Sequence, residues 1–186
     1  GASLYFDQST LARRFILREG ANGKKWIDGS AGTKWADWSQ SLTLPLTIVV
    51  GMKSVKRGDF SAYMGPSDWA NMGVRQFGNG NFILSQSADA TGDITFPASD
   101  PESFGTYSLV WEAAAGTNRG REYGDADTTS ASADLASAVN AWRLQGFFSD
   151  GASGFSKASF THLIFASASL SDADRQLAEA FIDAEE

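Results

Sequence analysis

Ala158-Ser-Phe-Thr-His-Leu-Ile-Phe-Ala166 runs, after four residues, into Ser171-Asp-Ala-Asp-Arg-Gln-Leu-Ala-Glu-Ala-Phe-Ile182. The first part is apolar at Phe160, Leu163, Ile164 and Phe165, on both alternating faces, which predicts a strand covered on both sides. The second part opens with a helix start signal. Ser171 offers a hydroxyl to an orphan backbone N–H, and Asp172 and Asp174 place negative charge where the helix end is positive. Leu177 and Phe181 share a helical face with Ala173 and Ala178 beside them, so that face is expected to pack down onto a sheet. One buried strand and one short helix imply that the rest of the chain supplies the sheet.

Residues 44–52 bear this out most plainly. Leu44, Leu46, Ile48, Val50 and Met52 alternate, a period of two that predicts a core-facing strand, with Pro45 near its start. Phe60, Ala62 and Met64 repeat the pattern. Residues 73–86 read as a hairpin around Gly78-Asn-Gly80. Residues 94–96 and 106–113 read as further strands; in the second, Tyr107, Leu109 and Trp111 point one way and Ser108 and Glu112 the other. A turn is expected at 116–120, with 121–123 returning antiparallel. Residues 125–140 are dominated by Ala, Ser, Thr and Asp and read as a loop with one helical turn at 135–139. Residues 142–148 give another strand. At the N-terminal end, 4–6 and 15–17 read as edge strands, and 19–40 as a long ordered loop anchored by Trp26, Trp35 and Trp38. Many short strands separated by turn signals, with one terminal helix, predict an all-β, two-sheet antiparallel sandwich.

The totals bound the function. The 186 residues are 42% hydrophobic, enough for one buried core, so a single domain over 1–186 is expected, with Gly1-Ala2-Ser3 read as a cloning remnant. The net charge is −7, which disfavours binding to nucleic-acid phosphates or anionic lipid. Cysteine is absent, so neither disulfides nor thiolate metal sites are available. Apolar runs such as Ile48-Val49-Val50 fall far short of the ~18 residues of a membrane span.

The order of pieces resembles the concanavalin A-like lectin/glucanase superfamily, in particular its laminin G-like branch. The resemblance is carried by Gly105-Thr-Tyr-Ser-Leu-Val-Trp111 followed by a hairpin, by Trp142-Arg-Leu-Gln-Gly146, and by the hydrophobic strand 160–165 leading to Leu170-Ser171-Asp172. It covers roughly residues 44–182. It implies a jelly-roll sandwich with one short C-terminal helix. Members include glycan-binding and protein-binding modules, glycoside hydrolases, polysaccharide lyases and adhesive domains of phage virions, so the fold alone leaves function open.

Hydrolase members carry a Glu-x-Asp-x-x-Glu run on one strand, and this chain has none. The nearest approach, Glu122-Tyr-Gly-Asp125-Ala-Asp127, has the wrong spacing for paired carboxylates about 5 to 9.5 Å apart. Lyase-like members need His and Tyr on a concave sheet; the single histidine, His162, reads instead as a hydrogen-bonded core residue. No catalytic residues are assigned. Asp125, Asp127 and Asp134 bracket a hydroxyl-rich loop and form a candidate site for calcium, a cation that takes oxygen ligands. Carbohydrate binding needs an exposed aromatic face flanked by planar hydrogen-bonding groups. Trp69 with Tyr63, Asn71 and Arg75 supplies that mixture, and Trp35 and Trp38, with Asp37 between them, form a second candidate.

The expected function is therefore a non-catalytic recognition or adhesion module, binding a cell-surface glycan outside the cell or on a virion. One alternative is a virion assembly or decoration domain that contacts proteins only and oligomerises through its parent protein. A diverged glycoside hydrolase or polysaccharide lyase is the other.

Overall fold

A computed structural model of the chain describes residues 16–29, 36–38, 42–54, 61–66, 73–76, 81–85, 94–97, 103–112, 116–131, 138–139, 142–144 and 158–186. The strands in chain order are β1 (Ile16–Glu19), β2 (Lys25–Asp28), β3 (Ala36–Trp38), β4 (Leu42–Thr43) and β5 (Leu46–Ser54). Next come β6 (Ser61–Pro66), β7 (Gly73–Gln76), β8 (Asn81–Ser85), β9 (Ile94–Pro97) and β10 (Gly105–Trp111). Then follow β11 (Thr117–Glu122), β12 (Thr128–Ala131), β13 (Ala138–Val139), β14 (Trp142–Leu144) and β15 (Ala158–Ala166), and the helix α1 (Asp172–Glu185) closes the order. A seven-stranded sheet runs β1-β2-β15-β5-β10-β11-β12, a six-stranded sheet runs β3-β14-β6-β7-β8-β9, and β13 pairs with β4. All pairings are antiparallel. Strand β9 lies against β11 and β12, bringing the second sheet to the first. No described helix is long and apolar enough to cross a membrane.

The core follows from the alternation in β5. Leu46, Ile48 and Val50 stand opposite Trp111, Leu109 and Tyr107 of β10. On the other flank, Ile48, Val50 and Met52 stand opposite Phe165, Leu163 and Phe160 of β15. Directly opposed side chains are neighbours on one face, so these residues form a continuous apolar layer. Leu46, Ile48, Val50, Met52, Tyr107, Leu109, Trp111 and Phe160 are all buried, each contributing about 1.5–3 kcal/mol. Pro45 follows a cis peptide bond just ahead of β5.

The helix begins as its sequence dictates. Ser171 is the N-cap, its hydroxyl accepting from the Asp174 backbone N–H at 3.1 Å, and Asp172 and Asp174 occupy the first turn. Such a cap stabilises by about 1 kcal/mol.

The face the helix presents is the reverse of the expected one. Leu177 is 71% exposed and Phe181 56%, whereas Arg175, Glu179 and Ile182 are buried. The cause lies in the sheet beneath. Cross-strand register puts Ser108 beside Val49 and Arg121 beside Ser108, on the face of β5 that also carries Thr47 and Gly51. A face this polar and this small in volume receives charged side chains better than leucine and phenylalanine.

Other differences are local. The stretch 19–40 contains β2 and β3, so Trp26 belongs to a strand; its ring meets Phe104 edge-on at 6.0 Å, with the Lys53 ammonium 4.6 Å from the Phe104 ring. The stretch 125–140 contains β12 and β13, and β11 begins at Thr117, where a turn was expected. Among the described residues strand β12 is an edge that bonds only to β11, so Thr and Ser suffice without apolar bulk. β15 is half-buried beyond Phe160, because α1 lies mainly over β5 and β10. A bulge falls between Phe160 and Leu163, where Thr161 and His162 together face Gly51. His162 has no hydrogen bond at Nδ1 among the described residues, and its ring meets Phe181 edge-on at 5.6 Å. Of the expected N-terminal strands, β1 is an edge strand as read, while 4–6 lies outside the described residues.

Candidate functional site

A compact ion network joins α1 to β10 and β11. Alternation on β11 aims Arg121 at the helix, and one-turn spacing brings Asp172, Arg175 and Glu179 onto the helix's inner side. Arg121 grips Glu179 in a two-pronged bond, Nε to Oε1 at 2.9 Å and Nη2 to Oε2 at 2.8 Å, while its Nη1 donates to Asp172 at 2.6 Å. Ser108 donates its hydroxyl proton to Glu179 Oε1. Arg175, fully buried, donates through Nη2 to both oxygens of Asp127, and its Nε stands 4.0 Å from Glu179.

Burial works against the Arg121 charge, yet the hydrogen bonds to Glu179 and Asp172 and the charges of Glu179 and Asp127 outweigh it. Its guanidinium is therefore held above its ordinary pKa. The hydrogen bond from Arg121, foremost, holds the Asp172 carboxyl below its ordinary value. Three carboxylates thus meet two guanidiniums. The surplus negative charge is offset by the positive end of the helix, where Asp172 sits.

Beside this network a groove of about 560 Å³ opens between α1 and the turn from β11 to β12. Gly124, at φ +91°, lets the chain reverse there, and the Tyr123 N–H bonds to the Thr106 carbonyl at 2.9 Å. Ala173, Leu177 and Ala180 form one wall and Tyr123 and Asp125 the other, with Arg121 and Glu179 at the floor. Tyr123 is 39% exposed. These are binding groups: an aromatic ring, an apolar wall and a carboxylate at the lip. The floor carboxylate is tied to a guanidinium, so it is not free to act as a general base.

The residues expected from sequence fall in two places. Asp125 and Asp127 lie at the turn beside the groove, where the Asp127 carboxylate is engaged by Arg175. Asp134 lies outside the described residues. Among the described residues no group of three or more His, Cys, Asp or Glu is placed to hold a metal ion. Tyr63, Arg75 and Trp38 belong to the six-stranded sheet. Arg75 is opposite Ala62, next to Tyr63, at an irregularity in the pairing of β6 with β7. Trp38 is opposite Trp142, itself opposite Pro66, about 10 Å along the strands from Tyr63. One sheet thus carries all three; Trp69 and Asn71, between β6 and β7, lie outside the described residues. Sequence reasoning passed over Tyr123 and the Arg121–Glu179 pair. The signal for the pair was the stripe Asp172, Arg175, Glu179 at i, i+3, i+7.

Antiparallel sheets of seven and six strands with one C-terminal helix define an all-β jelly-roll domain of concanavalin A-like fold. No family model matches the chain, and no curated protein matches it in sequence. Among solved structures it is similar to the binding domain of botulinum neurotoxin DC in complex with SialylT, with TM-score 0.66 and 9% identity over 93% of this chain and 45% of that one. It is also similar to the CBM40 of Ruminococcus gnavus IT-sialidase bound to α2,3-sialyllactose, with TM-score 0.59 and 14% identity over 89% and 96%. A third is the heptameric SAP-like pentraxin of Limulus polyphemus, with TM-score 0.62 and 13% identity over 90% and 82%. The chain spans slightly under half the length of the toxin binding domain. At these identities the likeness is one of fold.

Proposed function

We propose that this chain is a non-catalytic carbohydrate-recognition module, holding a cell-surface glycan on the six-stranded sheet and its rim around Trp69, Asn71, Arg75, Tyr63 and Trp38. The observation that carries the reading is the CBM40 likeness, which takes in 96% of a module whose structure holds α2,3-sialyllactose. The toxin binding domain, solved with a sialylated ligand, supports the same reading. Three of the five residues share one sheet, Tyr63 and Arg75 on neighbouring strands and Trp38 two strands from Tyr63. With a net charge of −7, the domain repels an anionic sugar except beside a cation, and Arg75 is the cation of this group. A setting outside the cell, on a virion or bacterial surface, and the laminin G-like branch complete the proposal; they rest on the acidic, cysteine-free composition and the sequence resemblance.

A glycan-array screen of the purified domain, run with calcium and again with chelator, tests it. The expected result is saturable binding that Trp69→Ala abolishes while circular dichroism stays native. Silence across the array from a folded protein sinks the reading. Loss of binding with chelator would give the loop of Asp125 and Asp134 a metal role.

A further inference from the structure

The solvent-facing side of α1 is apolar. At about 100° per residue, Asp172, Arg175, Glu179 and Ile182 fall within about 80° of one another, and Ala173, Leu177, Phe181 and Ala184 are centred on the opposite side. Burial agrees with this geometry: Arg175, Glu179 and Ile182 of the first stripe are buried against the sheet, and Leu177 and Phe181 stand largely in solvent. The apolar stripe does not stop at the helix. Through Leu177 it runs down into the groove, whose far wall is Tyr123, and at its other edge Phe181 covers His162 of β15. An exposed helix side of this kind, continuous with a groove, marks a contact surface.

The charges around the stripe say what fits it. Asp125 at the groove, and Asp174 and Glu185 beside Phe181 on the helix, are exposed and border it. Arg175, the only basic residue of α1, is buried beneath, and Arg121 is nearly so. Lys24, whose ammonium reaches the Ala184 carbonyl at 3.3 Å, stands at the C-terminal end. An apolar strip with an acidic border is complementary to a segment whose own apolar side chains are flanked by lysine or arginine. A second copy of this chain would set carboxylates against carboxylates, and an anionic lipid surface meets the same repulsion.

We propose that the outer side of α1, with the groove beside it, is a docking surface for a basic amphipathic segment of a partner protein, which seats one large apolar side chain between Leu177 and Tyr123. The surface is on the seven-stranded sheet, separate from the glycan site proposed on the other sheet, and stands or falls independently of it.

The test is fluorescence anisotropy with the full 186-residue chain and a labelled synthetic peptide of leucine and lysine at amphipathic helical spacing, at physiological ionic strength. Two control peptides accompany it: the same composition scrambled out of helical register, and leucine with glutamate at the original spacing. Saturable one-to-one binding of the first peptide alone is expected. The pair Leu177→Ser and Phe181→Ser, both at exposed positions and checked for native circular dichroism, should weaken it by about tenfold or more. Equal binding of the scrambled peptide, or no effect of the two substitutions, overturns the proposal by reducing it to general charge attraction. So does sedimentation showing self-association that depends on Leu177, which would make a second copy the occupant.

Discussion

Glu179 is the most heavily bonded carboxylate in the docking of α1, accepting from Ser108 and twice from Arg121 at a fully buried position. A pair this deep is retained because neither charge has water to fall back on. Glu179→Ala leaves Arg121 buried with one strong partner, Asp172, and should lower the unfolding free energy by about 3–5 kcal/mol in a urea titration. The exposed Glu185→Ala should stay within about 0.5 kcal/mol of the parent. Glu186 works in another direction. Desolvation, foremost, pushes its carboxyl from 4.5 up to about 7, against the Thr161 hydrogen bond. The folded protein then holds a proton that the unfolded chain releases, so the associated stability is present below about pH 4.5 and is lost as pH rises through about 7. Asp172 has the opposite sign: its lowered pKa contributes stability above 3.8 that is lost as pH falls. Thermal midpoints across pH 4.5 to 7 should fall with rising pH, and Glu186→Gln should flatten that slope.

The helix as an element seats against the sheet through absence of bulk. A Cβ at Gly51 would meet Thr161 and Glu186 and come within 2.7 Å of Ile182, so the last turn of α1 rests directly on the β5 backbone. Gly51→Ala should cost about 1–3 kcal/mol by overpacking, whereas Leu177→Ala should change stability by less than about 0.5 kcal/mol. A buried leucine would have cost about 2–5 kcal/mol, so the pair of measurements, by chemical denaturation, decides which side of the helix faces in. The start of α1 was legible in Ser171 and its two aspartates because capping is local. Its inner side was not, because the residues that make a charged stripe acceptable, Ser108 and Arg121, lie far away in the chain. The partner of Asp127 was hidden for the same reason: Arg175, whose guanidinium donates to both its oxygens, lies 48 residues further along the chain. Strand β12 was missed because an edge needs no apolar alternation, whereas β5 and β10, buried on the face they share, announce themselves by period two.

Across the whole molecule, the two sheets differ in what they carry. The seven-stranded sheet is covered by a helix on one face and on the other carries the apolar layer of Leu46, Ile48, Val50, Met52, Tyr107, Leu109, Trp111 and Phe160. Of the residues proposed for glycan, Trp38, Tyr63 and Arg75 lie on the six-stranded sheet, whereas α1 packs on β5, β10 and β15 of the other. The strand order of the seven-stranded sheet has a further consequence, for the time course of folding. Among the described residues, the hairpin β1–β2 meets the rest of that sheet only through β15, which begins at residue 158, while β5, the neighbour on its other side, ends at residue 54. As the chain leaves the ribosome, the hairpin has no sheet to join and β5 keeps one flank open until β15 has emerged. An isolated hairpin is marginal in water, and an open flank invites pairing with other chains. Completion of the sheet by so late a strand makes folding slow and holds it back until residue 166 has emerged, and the nascent chain is most prone to aggregation just before β15 arrives.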